Sequence, residues 1–116
     1  MIKIKLRSSH WIVDDRGNIV FGKGRLEILE SIEKTGSINQ TAKAMKMSYK
    51  TVWSKIKSTE KHLKNKIVHS DRISGTRLTR AGRKLVTEFR LLNQRCIRSD
   101  DQIFGKIFGE IPSLWE

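Results

Sequence analysis

The sequence predicts a mixed α/β (α+β) fold, and three observations support this prediction. Apolar residues alternate with polar ones near the N-terminus, within residues 1–22, and strands have this period. From Gly24 the apolar residues recur every three or four positions, which is the period of a helix. Residues 37–63 then have the pattern of two helices joined by a tight turn. A short β region is therefore expected to precede a mainly helical body.

The N-terminal region is expected to be a β-hairpin. Ile2, Ile4 and Leu6 alternate with basic residues over residues 1–7, which is typical of a strand. Two further apolar runs, residues 11–13 and 19–21, flank the turn-forming segment 14–18. This arrangement predicts two antiparallel strands joined by a short loop.

A helix with a short second helix behind it is expected to follow. Leu26, Leu29 and Ile32 have helical spacing, and Gly36 is placed to end that helix in a left-handed conformation. Ser37 is then a predicted N-cap, with Gln40 at the spacing of a capping box. The buried stripe of the second helix is predicted to be Ile38, Ala42 and Met45.

The third predicted helix is the basic one. Lys46 and Met47 form a tight turn, and Ser48 is a second plausible N-cap for a helix over about residues 48–63. Its buried positions are predicted to be Val52, Ile56 and Leu63, with Trp53 close to that stripe. Two helices joined by about three residues, the second one basic, are the arrangement of a helix-turn-helix.

The rest of the chain is expected to form a β-hairpin and a last helix. Residues 67–69 and 77–78 read as two short strands around a loop at 70–76, and this hairpin is the wing of a winged helix. Thr79 can cap a helix that Ser99-Asp100-Asp101 either break or restart. The prediction is one winged helix-turn-helix domain over 1–116: an N-terminal β-hairpin (1–22), the helix-turn-helix and wing (23–78), a long C-terminal dimerisation helix or helices (79–108) and a tail (109–116).

The charge is concentrated in one stretch of the chain. The formal net charge is +12, and residues 43–84 carry 13 Lys or Arg against only Glu60 and Asp71, a balance of +11. Such a concentration is typical of a face that binds phosphates. We therefore expect a nucleic-acid-binding protein.

Several other classes of protein are disfavoured. No apolar run approaches the roughly 20 residues of a membrane span, and a lone cysteine, Cys96, excludes a disulfide framework. This pattern favours the cytoplasm. His10, His62 and His69 are scattered without metal-ligand spacing, and no nucleophile–base pair is evident. Neither an enzyme nor a bound metal or cofactor is expected.

With these elements in place, the chain resembles the winged-helix domains of the LysR superfamily of bacterial regulators. The likeness lies in Gly36-Ser37-Ile38, Ala42, the helix from Ser48 to Ile56, and residues 78–82, Leu-Thr-Arg-Ala-Gly. More narrowly, it is similar to the DNA-binding domain of the molybdate-dependent (ModE-type) regulators. Residues 22–26, 47–53 and 74–76 carry that similarity, which covers about residues 10–108.

The resemblance implies binding to double-stranded DNA and has one departure. The ModE-type regulators continue into small β-barrel domains that bind molybdate, and this sequence stops before such a region. We therefore expect no direct molybdate binding by this chain.

The candidate DNA-binding residues fall into three groups. The helix from Ser48 is expected in the major groove, the wing tip near a minor groove or backbone, and the start of the helix at Ser37 against a phosphate. The residues are Ser48, Tyr49, Lys50, Thr51, Ser54 and Lys55 on the helix, Arg72, Ser74, Thr76 and Arg77 on the wing, and Ser37, Asn39 and Gln40 at the helix start. Each group also has an alternative without a role in DNA binding. In these alternatives the helix presents only a solvated basic face, the wing tip is a plain hairpin loop, and Ser37 only caps its helix.

The function that we expect is sequence-specific regulation of transcription by a homodimer on a palindromic operator. The dimer interface is predicted on the last helix, at Leu85, Phe89, Leu92, Cys96 and Phe104. Two alternatives remain: a non-specific or architectural nucleic-acid binder, and a DNA-binding subunit whose apolar C-terminal face docks a separate sensor protein.

Overall fold

The computed structural model describes residues 4–109 as a winged helix-turn-helix, which confirms the predicted mixed α/β fold. Two antiparallel β-hairpins lie in the sequence on either side of a three-helix unit, and a long helix follows. The elements are β1 (Trp11–Val13), β2 (Ile19–Gly22), α1 (Lys23–Thr35), α2 (Ile38–Met45), α3 (Tyr49–Leu63), β3 (Val68–Asp71), β4 (Gly75–Leu78) and α4 (Arg80–Phe108).

The N-terminal hairpin pairs β1 with β2, with Ile12 opposite Phe21 and an irregular register at Val13. Asp14 organises its turn, because its Oδ1 accepts hydrogen bonds from the backbone N–H of Arg16 (2.9 Å) and of Asn18 (2.8 Å). The Asn18 side-chain amide also donates to Asp14 Oδ2 at 3.0 Å. These bonds to Asn18 lower the pKa of Asp14 to about 2. The predicted hairpin at 11–21 is therefore confirmed.

The strand predicted over residues 1–7 is wrong for the described part. Residues 4–10 contain no strand, and residues 1–3 lie outside the described chain. β1 pairs only with β2 within residues 4–109, so no neighbouring strand offers this segment a hydrogen-bonding ladder. His10 instead fastens the segment to α4, with ring nitrogens 2.9 Å from Asn93 Oδ1 and 3.3 Å from Asp100 Oδ2.

The helix boundaries follow the predicted capping residues. Gly36 ends α1 in a left-handed conformation, with φ of 69°. Ser37 Oγ accepts the backbone N–H of Gln40 at 3.1 Å, and Ser48 Oγ accepts that of Thr51 at 3.0 Å. Lys46 adopts a left-handed conformation and ends α2, so the turn into α3 is as tight as predicted.

A single cluster of apolar side chains joins the hairpins to the helices. Val52 and Ile56 are buried as predicted, but Leu63 is 43% exposed, which corrects its assignment to the buried stripe. Leu63 is the last residue of α3, where the helix ends at left-handed Lys64 and passes the edge of the core. The core side chains are Phe21, Leu26, Ile28, Leu29, Ile32, Ile38, Ala42, Val52, Ile56, Ile67, Val68, Leu78, Val86 and Phe89.

Glu60 is buried on α3 and positions the wing. Its Oε2 accepts the backbone N–H of Ile67 at 2.9 Å and that of Val68 at 3.3 Å. Its Oε1 lies 3.2 Å from Lys57 Nζ. The carboxylate therefore supplies the hydrogen bonds that the start of β3 would otherwise lack.

The wing is longer than predicted and is fastened to the start of α2. Four residue pairs join β3 to β4, from Val68 with Leu78 to Asp71 with Gly75, leaving a loop at 72–74. The N–H of Thr76 donates to Gly36 O at 2.9 Å. A Cβ on Gly75, whose φ is 82°, would lie 2.8 Å from the same oxygen, so this contact requires glycine.

The last helix, α4, runs without interruption through Ser99-Asp100-Asp101. A break at that point was one of two predicted possibilities, and the helix is continuous. Thr79 caps it as predicted, because Thr79 Oγ1 accepts the N–H of Gly82 at 3.1 Å. Its buried residues, Gly82, Val86 and Phe89, all lie in its first third.

The placement of Phe89 corrects its prediction as a dimer-interface residue. Phe89 is only 2% exposed within the monomer, and its ring meets that of Phe21 edge-to-face at 5.1 Å between centroids. Leu85 also packs partly against this core.

Gly109 is described, but residues 110–116 of the predicted tail lie outside the described chain. Among the helices of the described chain, none has the length and apolarity to cross a bilayer.

Candidate nucleic-acid interface

Helix α3 presents one line of basic and polar side chains outward. Lys50, Ser54, Lys57 and Lys61 are spaced by four, three and four residues, which places them on one helical face, and all four are exposed. Lys50 and Ser54 were predicted as DNA-contacting residues, whereas Lys57 and Lys61 were not. The helical spacing from Lys50 was the signal that could have found them.

A second line on α3 lies beside the N-terminal hairpin. Thr51, Lys55, Ser58 and His62 have the same spacing as the outward line, one position further along. His62 Nε2 lies 3.2 Å from Asp14 Oδ2 in the hairpin turn. Lys55 is half-buried on this flank, whereas Thr51 is exposed.

Arg25 of α1 fixes the hairpin and α3 to each other. Its Nη1 donates to Val20 O (3.1 Å), to Thr59 Oγ1 (3.0 Å) and to Ser58 Oγ (3.4 Å). Thr59 Oγ1 donates in turn to Val20 O at 2.6 Å. Burial lowers the pKa of the Arg25 guanidinium. The second line of α3 therefore has a rigid border on its hairpin side.

The hydroxyl groups at the start of α3 are partly engaged. Ser48 Oγ lies 2.8 Å from Thr51 Oγ1 in addition to capping the helix. Tyr49, Lys50 and Ser54 are exposed and make no such capping bond. Trp53, which was predicted to lie close to the buried stripe of α3, packs against the core. Lys57 Nζ lies 4.4 Å from the centroid of its ring.

An open groove separates the start of α2 from the wing. It brings together five predicted site residues from three elements, because Tyr49 of α3 also reaches it. These residues are Ser37, Asn39, Tyr49, Arg72 and Thr76. The groove could follow a phosphate backbone, since Ser37 and Asn39 lie at a helix N-terminus.

The structure separates Arg77 from that groove. Thr76 and Arg77 are adjacent in β4, so their side chains point to opposite faces of the wing. Arg77 lines a different depression with Glu33 and Arg83. Gln40 and Ser74 are exposed but do not line the groove.

Asp71 is an acidic residue at the wing turn with a structural role. Its Oδ1 accepts the N–H of Ile73 at 2.8 Å, and this bond lowers the pKa of Asp71. The loop at 72–74 is therefore held in a defined turn. No group of three His, Cys, Asp or Glu side chains that could hold a metal ion occurs within residues 4–109.

Residues 24–83 match the family described as bacterial regulatory helix-turn-helix proteins of the lysR family. The match contains α1, the helix-turn-helix, the wing and the first turn of α4. The chain belongs to this family. The helix-turn-helix and wing described above are thus those of a LysR-type DNA-binding domain, and the N-terminal hairpin lies outside the matched segment.

A relative and two solved structures are similar to parts of this chain. The molybdenum transport protein ModE of Azotobacter vinelandii is 36% identical over 72 residues, covering 59% of this chain and 27% of that protein. The crystal structure of the CbnR DNA-binding domain in complex with DNA is similar with a TM-score of 0.58 at 20% identity, covering 71% of this chain and 93% of that one. Full-length LysG from Corynebacterium glutamicum gives a TM-score of 0.53 at 26% identity, covering 72% and 28%.

The lengths of these proteins differ from that of this chain. The chain spans about a quarter of the length of the ModE relative and of full-length LysG. The similarity therefore concerns the winged helix-turn-helix region of those longer proteins.

Proposed function

We propose that this LysR-family chain is a sequence-specific regulator of transcription that binds double-stranded DNA as a homodimer in the cytoplasm. The observation that carries the proposal is the exposed basic line of α3, Lys50 to Lys61, held between a hairpin and a wing. The DNA complex of the similar CbnR domain supports the same use of this fold. We also propose that the whole chain acts as one winged-helix domain.

In the proposed complex, α3 lies in the major groove. Tyr49, Lys50 and Ser54 are exposed at its N-terminal half, where recognition helices meet base edges. Ser48 and Thr51 serve mainly to start the helix, because their hydroxyls bond each other. Lys57 and Lys61 extend the basic line toward the phosphates.

The groove beside the wing supplies the second part of the interface. Ser37 and Asn39 present a helix N-terminus to one phosphate, and Arg72 approaches the adjacent backbone from the wing. The bond from Thr76 N–H to Gly36 O keeps these two elements in a fixed relation. Arg77 contacts DNA only if the duplex reaches the other face of the wing.

The homodimer is proposed to form through the second half of α4. Leu92, Cys96, Ile103 and Ile107 share one helical face, and Leu92, Ile103 and Ile107 are exposed in the monomer. Phe104 lies close to the same face and is half-buried. A second copy would cover this apolar stripe and present two α3 helices to the half-sites of a palindrome.

Selection of bound sequences from a random pool of duplex DNA tests the proposal. A palindromic consensus is expected, with half-sites about one or more helical turns apart. A stronger preference for single strands in a parallel titration, or an absence of consensus, would support the non-specific nucleic-acid binder instead.

We propose further that this chain does not bind molybdate. A tetrahedral dianion needs converging donors in a desolvated pocket. A cavity of about 10 Å³ bordered by Arg25, Lys55 and mainly apolar core side chains is too small for such an anion. The cleft of about 110 Å³ beside the same two cations has the 60% exposed Trp11 as a wall, so it is not desolvated. Calorimetry with molybdate is expected to show no saturable site, and a stoichiometric site that alters operator affinity would contradict this.

A second candidate function has its own observation. The apolar face at Ile103 and Ile107 is also suited to docking a separate sensor protein. Two results together would favour this function: the free protein is a monomer, and it captures a partner protein in the absence of nucleic acid. Ile107→Glu should then abolish the capture.

A further inference from the structure

Trp11 occupies an unusual position beside the DNA-binding helix. It is 60% exposed, although its ring lies against Gly22 on the paired strand. A Cβ on Gly22 would lie 2.6 Å from Trp11 Cδ1 and 3.2 Å from Nε1, so the glycine makes room for the indole ring. The hairpin therefore holds a large aromatic surface in water at a defined place.

Trp11 forms one wall of a cleft of about 110 Å³ between the hairpin and α3. Arg25 and Lys55 supply two cations to this cleft, and no acidic side chain is among its lining residues, which are Trp11, Ile19, Gly22, Gly24, Arg25, Met47 and Lys55. The cleft thus combines positive charge with an aromatic face.

Several side-chain donors of the cleft residues have no partner within the described chain. The hydrogen bonds of Arg25 all come from Nη1. Within residues 4–109, no hydrogen bond or ion pair engages Lys55 Nζ or the indole N–H of Trp11. Arg25 Nε and Nη2, Lys55 Nζ and the indole N–H are therefore available to an oxyanion.

The cleft is continuous with the proposed DNA-binding surface. Arg25 and Lys55 also line the neighbouring groove, together with Lys50, Thr51 and Ser54 of α3. A duplex seated on the outward line of α3 would therefore bring one strand of its backbone toward Trp11. The hairpin itself lies outside the segment matched to the LysR family.

We propose that this cleft binds one backbone phosphate of the DNA and its deoxyribose, beyond the contacts of α3 in the major groove. Arg25 and Lys55 would donate to the phosphate oxygens with charge assistance, and the indole N–H would add a third donor. The indole face would cover the apolar side of the sugar. This inference rests on the proposed DNA-binding function and deepens it by assigning a role to the hairpin.

The experiment uses the whole chain and a duplex carrying its selected consensus. Single backbone phosphates are replaced in turn by uncharged methylphosphonates, and affinity is measured at constant salt. For the unaltered protein, replacement at one position at the edge of the footprint is expected to lower affinity about tenfold, as for loss of a charge-assisted hydrogen bond.

Trp11→Ala and Lys55→Gln identify the side chains that hold that phosphate. Each is expected to lower affinity for the normal duplex and to lose its sensitivity to methylphosphonate at that single position. Leu91→Ala and Arg98→Gln, on exposed positions of α4, are matched controls that should keep the full sensitivity. Trp11→Phe should retain much of the affinity, and circular dichroism verifies that each variant is folded.

Three outcomes separate this inference from the proposed function. Failure of the unaltered protein to bind duplex DNA would overturn the proposed function itself. Normal DNA binding with undiminished methylphosphonate sensitivity in folded Trp11→Ala and Lys55→Gln would overturn only the phosphate cleft. Saturable binding of inorganic phosphate, abolished by Trp11→Ala without any change in DNA affinity, would assign the cleft to a free oxyanion and also overturn the inference.

Discussion

At the residue scale, buried polar side chains determine how the elements meet. Glu60 bonds two backbone N–H groups at the start of β3, and Thr59 bonds the carbonyl of Val20 in the hairpin. Each of these side chains connects α3 to a β-hairpin. The apolar stripe of α3 is thus supplemented by polar contacts that fix the wing and the N-terminal hairpin relative to the DNA-binding helix.

Thr41 is the exception among these buried groups. It is fully buried on α2, and its Oγ1 has no hydrogen-bond partner within the described chain. We expect Thr41→Val to raise the free energy of unfolding by about 1 kcal/mol, because it removes an unpaired buried hydroxyl at nearly constant shape. Denaturant unfolding should show a higher midpoint with an unchanged slope.

Thr59→Val is the matched control for that prediction. It removes a hydroxyl that donates to Val20 O at 2.6 Å and accepts from Arg25 at 3.0 Å. The free energy of unfolding should therefore fall, because Val20 O and the Arg25 guanidinium each lose one hydrogen bond. Equal effects of the two substitutions would contradict the assignment of Thr41 as unpaired.

At the element scale, close backbone contacts fix the start of α4. A Cβ on Gly82 would lie 2.1 Å from the carbonyl oxygen of Ile67, so α4 can approach β3 only with glycine at this position. The same contact region includes Thr79, whose Oγ1 donates to Lys66 O at 2.6 Å. The long helix therefore begins from a rigid junction with the wing.

Gly82→Ala and Gly105→Ala make the same change at two places on α4. Gly82→Ala is expected to lower the free energy of unfolding by about 1–3 kcal/mol or more, through displacement of the Ile67 backbone. Gly105→Ala should raise it by about 0.5–1 kcal/mol, because nothing lies within 4 Å of the new methyl group and alanine favours the helix. Thermal unfolding of both variants measures the difference, and a neutral Gly82→Ala would contradict the contact.

Local signals in the sequence were sufficient for most elements of the fold. Ser37, Ser48 and Thr79 each form a predicted cap, because a cap depends only on residues nearby in the chain. Leu63 and Phe89 were misplaced because helical period does not tell where a helix leaves the core or which of its ends the core covers. The Trp11 cleft could not be predicted, since it joins three segments distant in sequence.

At the scale of the whole molecule, α4 makes the chain elongated. The extents are 62 × 30 × 23 Å, and 29 helical residues span about 43 Å. The core ends near Phe89, so the second half of α4 carries its apolar stripe away from the winged helix. This geometry suits a two-fold pairing that sets the spacing of two DNA-binding helices.

The proposed dimer is tested by charge on that stripe. Ile107→Glu, at a position 54% exposed in the monomer, is expected to shift the protein from dimer to monomer, because pairing would bury the new carboxylate. Leu91→Glu places the same charge on an exposed position of another face and should leave the dimer intact. Sedimentation equilibrium at tens of micromolar protein measures the oligomeric state of each variant. A monomeric unaltered protein would contradict the proposed dimer.

The salt dependence of duplex DNA binding tests the central claim, that the basic line of α3 is a DNA-binding surface. Affinity for the selected duplex is measured over a range of salt concentrations for the unaltered protein, Lys50→Ala and the exposed control Arg98→Ala. We expect a steep decline, with a slope of about −0.9 in log K against log salt for each phosphate contact. If Lys50 contacts a phosphate, Lys50→Ala should flatten the slope by about one. If Lys50 contacts a base, Lys50→Ala should reduce the discrimination between the consensus and other sequences by about 1–3 kcal/mol. Binding that ignores salt, or that Lys50→Ala changes no more than Arg98→Ala does, would contradict the account.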